Sequence, residues 1–182
     1  MNWIIPGTTL DAKRDNADHV EQLFSSMFLA GGLTLSQVAA VTGLETHTIQ
    51  NWVKRGFLSP PRAKRYDLEQ VCRIINMNLL KGALPLEQVC SLMSYLNGCL
   101  CDESDDLVDD AVLYFMFVGL ASRIRDMGSS RQWDEALQKV TENYVEPVPG
   151  AREKLMKVLR IMLTAWAANS LRMEAENMMK EL

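Results

Sequence analysis

Apolar residues recur at helical spacing through most of this chain, and the rhythm stops where glycine, proline or clustered charge intervenes. Over residues 15–30, Val20, Leu23, Phe24, Met27 and Phe28 fall along one face of a helix. From residue 33 the pattern shortens to two helices. Val38, Ala39 and Thr42 share a face of the first, and Ile49, Trp52 and Val53 form the apolar stripe of the second. Thr34 or Ser36 can cap the first, because a side-chain oxygen satisfies amides that a helix start leaves unpaired; Thr46 or Thr48 can start the second. Gly43 stands between them, where a tight turn needs a positive φ, and Leu44 plugs the angle. Residues 111–121 are apolar all round and predict a central buried helix or one side of an interface. Residues 132–144 are weakly amphipathic, and Pro147 and Pro149 break them off. Residues 151–182 then run without glycine or proline, with Leu155, Met156, Val158, Leu159, Met162, Leu163, Trp166 and Leu171 in a wide apolar stripe.

The expected fold class is therefore mainly α, in three parts. Residues 1–32 form an N-terminal segment with one helix packing on the core. Residues 33–98 form a winged helix-turn-helix domain, and residues 104–182 an all-helical domain. The middle part carries the chemistry. Its second helix, about residues 46–55, buries one stripe and leaves His47, Thr48, Gln50, Asn51, Lys54 and Arg55 facing out. Gln and Asn can bond adenine bidentately, Arg and Lys suit guanine or phosphate, and His and Thr adapt to either. Gly56 ends the helix, and Pro60-Pro61 forbids its continuation. Arg62, Lys64 and Arg65 follow before Tyr66, so a short hairpin there would lay positive charge on a DNA backbone. The expectation is base reading by His47, Thr48, Gln50 and Asn51, with phosphate contacts from Lys54, Arg55, Arg62, Lys64 and Arg65.

Residues 48–58, TIQNWVKRGFL, resemble the end of a MerR-type recognition helix and the start of its wing. Residues 66–75, YDLEQVCRII, resemble the helix after that wing, and residues 81–93, KGALPLEQVCSLM, the next turn and helix. The resemblance covers roughly residues 33–97 and is also a likeness to bacterial proteins of unknown function with a MerR-like DNA-binding domain. It implies a dimeric DNA-binding transcriptional regulator. The chain departs from the MerR pattern at Gln50, Asn51 and Trp52, where arginine and two tyrosines are usual, and in its short wing.

Charge changes the picture only locally. The whole chain of 182 residues has a formal charge of −4. Residues 46–82 nevertheless hold seven Lys and Arg against two Asp and Glu, whereas residues 102–110 hold six acids and no base. DNA association depends on the local patch, so specific, salt-sensitive binding with weak background affinity is expected. Cys99 and Cys101 stand beside the acids, but four zinc ligands at usual spacing are lacking, so no metal is expected. The acids read better as capping and charge-complementing the next helix start. Four cysteines and a start too short and too little basic for a secretory leader indicate the cytoplasm. No segment reaches the ~18–20 apolar residues of a membrane span. Phosphate loops, nucleophile elbows and histidine–carboxylate constellations are absent, so neither enzyme activity nor a cofactor is expected.

For residues 104–182 the main expectation is a homodimer through the C-terminal helices, since operators are commonly read by two-fold pairs. The second is an apolar small-molecule effector lodged among Tyr114, Phe115, Met116, Phe117, Met162 and Trp166. The alternative for the whole chain is a protein-interaction adaptor that keeps the fold without binding DNA.

Overall fold

The computed structural model describes residues 2–14, 18–98, 106–124 and 130–181. Cys99, Cys101 and the acids at 102–105 lie outside the described residues. Among the described residues the chain is mainly helical, with two two-stranded antiparallel sheets at its N-terminal end. Strands β1 (Asn2–Ile4) and β2 (Asp11–Lys13) form a hairpin with Trp3 opposite Ala12. Helix α1 (Asp18–Met27) follows. Phe24 from α1 is fully buried against Tyr114 and Phe115, at ring-centroid distances of 5.6 and 5.7 Å.

The next unit is β3 (Leu33–Thr34), α2 (Leu35–Thr42), α3 (Thr46–Lys54) and β4 (Arg65–Tyr66). Thr34 starts α2 through a capping box: its side chain accepts from the Gln37 amide while Gln37 reaches back to the Thr34 amide. Gly43 ends α2 in the left-handed region at φ 69°, and Leu44 is buried in the angle between the helices. Thr46 begins α3, but the capping position is Glu45, whose side chain makes no capping bond. Strands β3 and β4 pair Leu33 with Tyr66, and both residues are buried. Gly32 makes that approach possible: at φ 94° a Cβ there would lie 2.7 Å from the Tyr66 carbonyl oxygen.

Helices α4 (Leu68–Leu80) and α5 (Leu86–Asn97) complete this part. α4 is buried along almost its whole length because it serves both halves of the molecule. It packs against α2 on one side and against α6 (Asp110–Arg123) and the last helix on others. The two parts that the sequence separates near residues 98–104 thus share one hydrophobic core. α6 is the central buried helix of the two readings of residues 111–121. Its Tyr114, Leu113, Phe117 and Leu120 have no exposure, and the Tyr114 hydroxyl donates to the Pro6 carbonyl at 3.0 Å.

The acids before α6 act differently from a simple helix cap. Asp109 occupies the capping position without a side-chain bond. Glu69 on α4 supplies that bond instead, accepting from the Ala111 amide at 2.9 Å. Asp110 pairs with Arg73 at 3.1 Å.

Helix α7 (Ser130–Val140) and the 30-residue α8 (Ala151–Lys180) close the fold. The first half of α8 buries Leu155, Val158, Leu159, Met162 and Leu163 in the chain's own core, and Trp166 meets Phe117 edge-on at 6.1 Å. Much of the apolar stripe therefore packs within the chain. Tyr114, Phe117 and Met162 are fully buried. From Leu171 to Lys180 every residue of α8 is exposed. Among the described residues no helix is long and apolar enough to cross a membrane.

Candidate nucleic-acid interface

Helix α3 separates its residues sharply. Ile49 has no exposure and Trp52 only 4%, so together they fix the helix on α2 and the core. His47, Gln50, Asn51 and Lys54 are all exposed. Their i, i+3, i+4 and i+7 spacing puts them on one face. Thr48, on the flank, is half-buried. Three of the four residues expected to read bases and the lysine beyond them are therefore brought together on one outward ridge.

The segment after α3 is tied down by main-chain and side-chain bonds. The Phe57 amide donates to the Trp52 carbonyl at 3.0 Å, closing the end of the helix. Gln70 from α4 donates its side-chain amide to Ser59 Oγ and to the Pro60 carbonyl, each at 2.9 Å. Arg73, one turn later on α4, donates Nε to the Phe57 carbonyl at 3.2 Å. These bonds give buried polar groups their partners and set where the chain leaves α3. Asn78, further along α4, donates to the carbonyls of Thr42 at 2.8 Å and Gly7 at 2.9 Å, which fixes the end of α2.

A two-residue turn then projects from β4. The Arg65 amide donates to the Arg62 carbonyl at 2.9 Å, and Ala63 and Lys64 between them sit at φ 48° and 63°. Positive φ at both central positions is the geometry of a hairpin turn whose twist matches its strands. The turn presents Arg62 and Lys64 to solvent.

The five basic residues expected on phosphates divide into two kinds. Among the described residues Lys54, Arg62 and Lys64 carry no hydrogen bond or ion pair with another side chain. Arg65 donates to the Gly32 carbonyl at 2.8 Å and so braces the strand pair. Arg55 lies over the Phe57 ring, 4.4 Å from its centroid, and donates to Glu87 on α5 at 2.7 Å.

Behind the turn lies a polar cleft of about 540 Å³ bounded by Pro60, Arg62, Gln70, Arg73, Asn97 and Asp110. Burial pushes the Asp110 carboxyl up, while Arg73 beside it pulls it down. Burial also raises Glu69, with the Ala111 amide opposing and Asp109, Asp110 and Asp67 adding to the rise. Cys72 is buried and Cys90 half-buried. Burial raises the Cys72 thiol well above its ordinary value, which suits a small apolar filler. Among the described residues no group of three or more His, Cys, Asp or Glu is placed to hold a metal ion.

Sequence reasoning did not single out Gln70, Arg73, Asn78 or Glu87. The first three left a visible signal: polar side chains inside the otherwise apolar run of α4. Glu87 left none, since its partner is 32 positions away.

The family described as a domain of unknown function (DUF1836) matches residues 14–117. That span takes in α1 to α5 and the first half of α6. The chain is also similar to the uncharacterized protein YkrK of Bacillus subtilis (strain 168), 24% identical over 125 residues. The alignment covers 66% of this chain and 54% of YkrK, so the chain spans about half the length of that relative. No solved structure matches.

Proposed function

From the premise that the chain belongs to the DUF1836 family, we propose that it is a sequence-specific DNA-binding transcriptional regulator with a MerR-like winged helix-turn-helix. The observation that carries the reading is the ridge of α3. Four polar side chains line its outer face while Ile49 and Trp52 hold its back, and the turn that follows carries two unpaired cations. In this reading α3 enters the major groove. Gln50 and Asn51 bond base edges, His47 and Thr48 contact bases nearer the start of the helix, and Lys54, Arg62 and Lys64 hold phosphates. Arg65 acts one step back, by bracing the strand pair from which the turn projects. No catalytic step is assigned to the protein.

A homodimer is part of the proposal. Along α8, Ile161, Thr164, Ala168, Leu171, Ala175 and Met178 follow one another at alternating spacings of three and four residues. All six are exposed, on the side of the helix turned away from the chain's own core. That spacing is the one a two-helix coiled-coil seam uses, and it supports pairing of two copies through α8.

The test is retention of genomic DNA fragments by the pure protein across a salt series. Wild type should retain a subset of fragments, with affinity falling steeply as salt rises. Arg62→Ala/Lys64→Ala should weaken all fragments alike and flatten the slope of log affinity against log salt by about 0.9 for each phosphate no longer held. Gln50→Ala/Asn51→Ala should erase the preference among fragments while keeping the background affinity. Wild type that retains no fragment at any salt refutes DNA binding and leaves the protein-interaction adaptor as the reading to pursue.

A further inference from the structure

Arg55 closes α3, and its position next to Lys54 would make it the natural fourth cation of the DNA surface. Its guanidinium is instead occupied. It lies over Phe57 and donates through Nη2 to Glu87 Oε1 at 2.7 Å. Glu87 comes from the first turn of α5, so the pair joins two separate elements. The Glu87 carboxyl is held below the usual carboxylate range, first by its own backbone amide and then by Arg55, so it is ionised at neutral pH. Both side chains remain open to solvent, with 49% and 67% of their surfaces exposed. Exposed pairs of this kind add little to folding, so stability does not account for the arrangement.

A carboxylate and a phosphate compete for the same planar set of guanidinium donors. A backbone phosphate arriving at this end of α3 meets a cation already neutralised, together with a negative charge of its own sign. We propose that Glu87 is a brake on sequence-independent DNA binding, holding Arg55 out of the set of phosphate contacts. The inference rests on the DNA reading above and adds to it the residue that sets the background affinity. With Glu87 in place, random DNA gains from Lys54, Arg62 and Lys64, and base contacts decide the rest.

The experiment compares wild type, Glu87→Gln, Arg55→Ala/Glu87→Gln and Glu135→Gln on a duplex of random sequence between 50 and 200 mM salt (about the range over which such contacts are read). Glu135→Gln is the control: it removes the same charge from an exposed pair on α7. Glu87→Gln should steepen the slope of log affinity against log salt by about 0.9 and bind about eightfold tighter at 0.1 M salt, the effect of one added phosphate contact. Arg55→Ala/Glu87→Gln should return to the wild-type slope, and Glu135→Gln should leave it unchanged. A Glu87→Gln slope equal to that of wild type overturns the inference and leaves the DNA reading standing. An equal gain from Glu135→Gln also overturns it, because net charge alone would then be responsible. Absence of binding by both wild type and Glu87→Gln overturns the DNA reading and the brake together.

Discussion

Replacing Lys64 by glycine should move folding and DNA binding in opposite directions. Lys64 occupies the left-handed region at φ 63°, beside Ala63 at φ 48°. An L side chain held there costs about 1 kcal/mol or slightly more. Glycine removes that strain but loses about 0.4–1 kcal/mol through the greater freedom of the unfolded chain. The net gain for Lys64→Gly is thus about 0.5 kcal/mol, since the exposed lysine contributes no packing to offset it. For a chain of this size the gain corresponds to a rise in Tm of about 1–2 °C. Ala63→Gly should give a similar rise. The two variants part company on DNA. Lys64→Gly gives up one phosphate, so its salt slope should flatten by about 0.9 and its affinity fall about eightfold at 0.1 M salt. Ala63→Gly should bind as wild type does. Thermal melts give the first quantity, and fluorescence anisotropy on a duplex gives the second. A Lys64→Gly variant less stable than wild type refutes the turn geometry. One that is more stable but binds DNA undiminished refutes the phosphate role of Lys64. Both glycines would relieve the turn, so the presence of lysine at a strained position is consistent with a side chain kept for what it touches.

Two further expectations concern other parts of the molecule. Glu69 has its carboxyl raised by burial, so the folded state holds its proton more tightly than the unfolded chain does. Its stabilising contribution is complete below the ordinary glutamate range and is lost as pH rises through the folded value. Glu69→Gln should therefore gain in urea midpoint relative to wild type at pH ~7, with the gap closing below pH ~4; a gap that widens on acidification would contradict this. On α8, Leu171 and Met178 are 58% and 64% exposed. Leu171→Glu/Met178→Glu should convert a dimer to monomer in sedimentation at unchanged helical content, and a wild type already monomeric at high concentration removes the α8 seam.

The elements were legible where local chemistry decides them. Gly43 and Leu44 announce a turn and a plug from their identities alone, Thr34 was one of two candidate caps with Ser36, and the spacing of Ile49 and Trp52 gives the inner face of α3. The outer face then follows by subtraction, which is why His47, Gln50, Asn51 and Lys54 emerge together. What periodicity could not supply was the identity of partners. Arg55 and Arg65 look like Lys54 and Lys64 in sequence, yet one meets Glu87 and the other the Gly32 carbonyl, through contacts between distant positions. The same holds at the start of α6, where the neighbouring acids suggested a local cap and Glu69 from α4 provides it. The stripe of α8 was visible as a whole, but its division into an inner half and an exposed end depends on how far the rest of the chain reaches along it.

Arg73 gives the shared core a mechanical meaning. With 8% of its side chain exposed, it holds the Phe57 carbonyl on one side and Asp110, the first residue of α6, on the other. One buried side chain thus ties the exit of α3 to the start of α6. A displacement of α6 would therefore be felt at the base of the basic turn through a single side chain. The setting of the basic turn is thereby linked to that of α6, and a cut between the two halves would strip from α4 a helix that covers it.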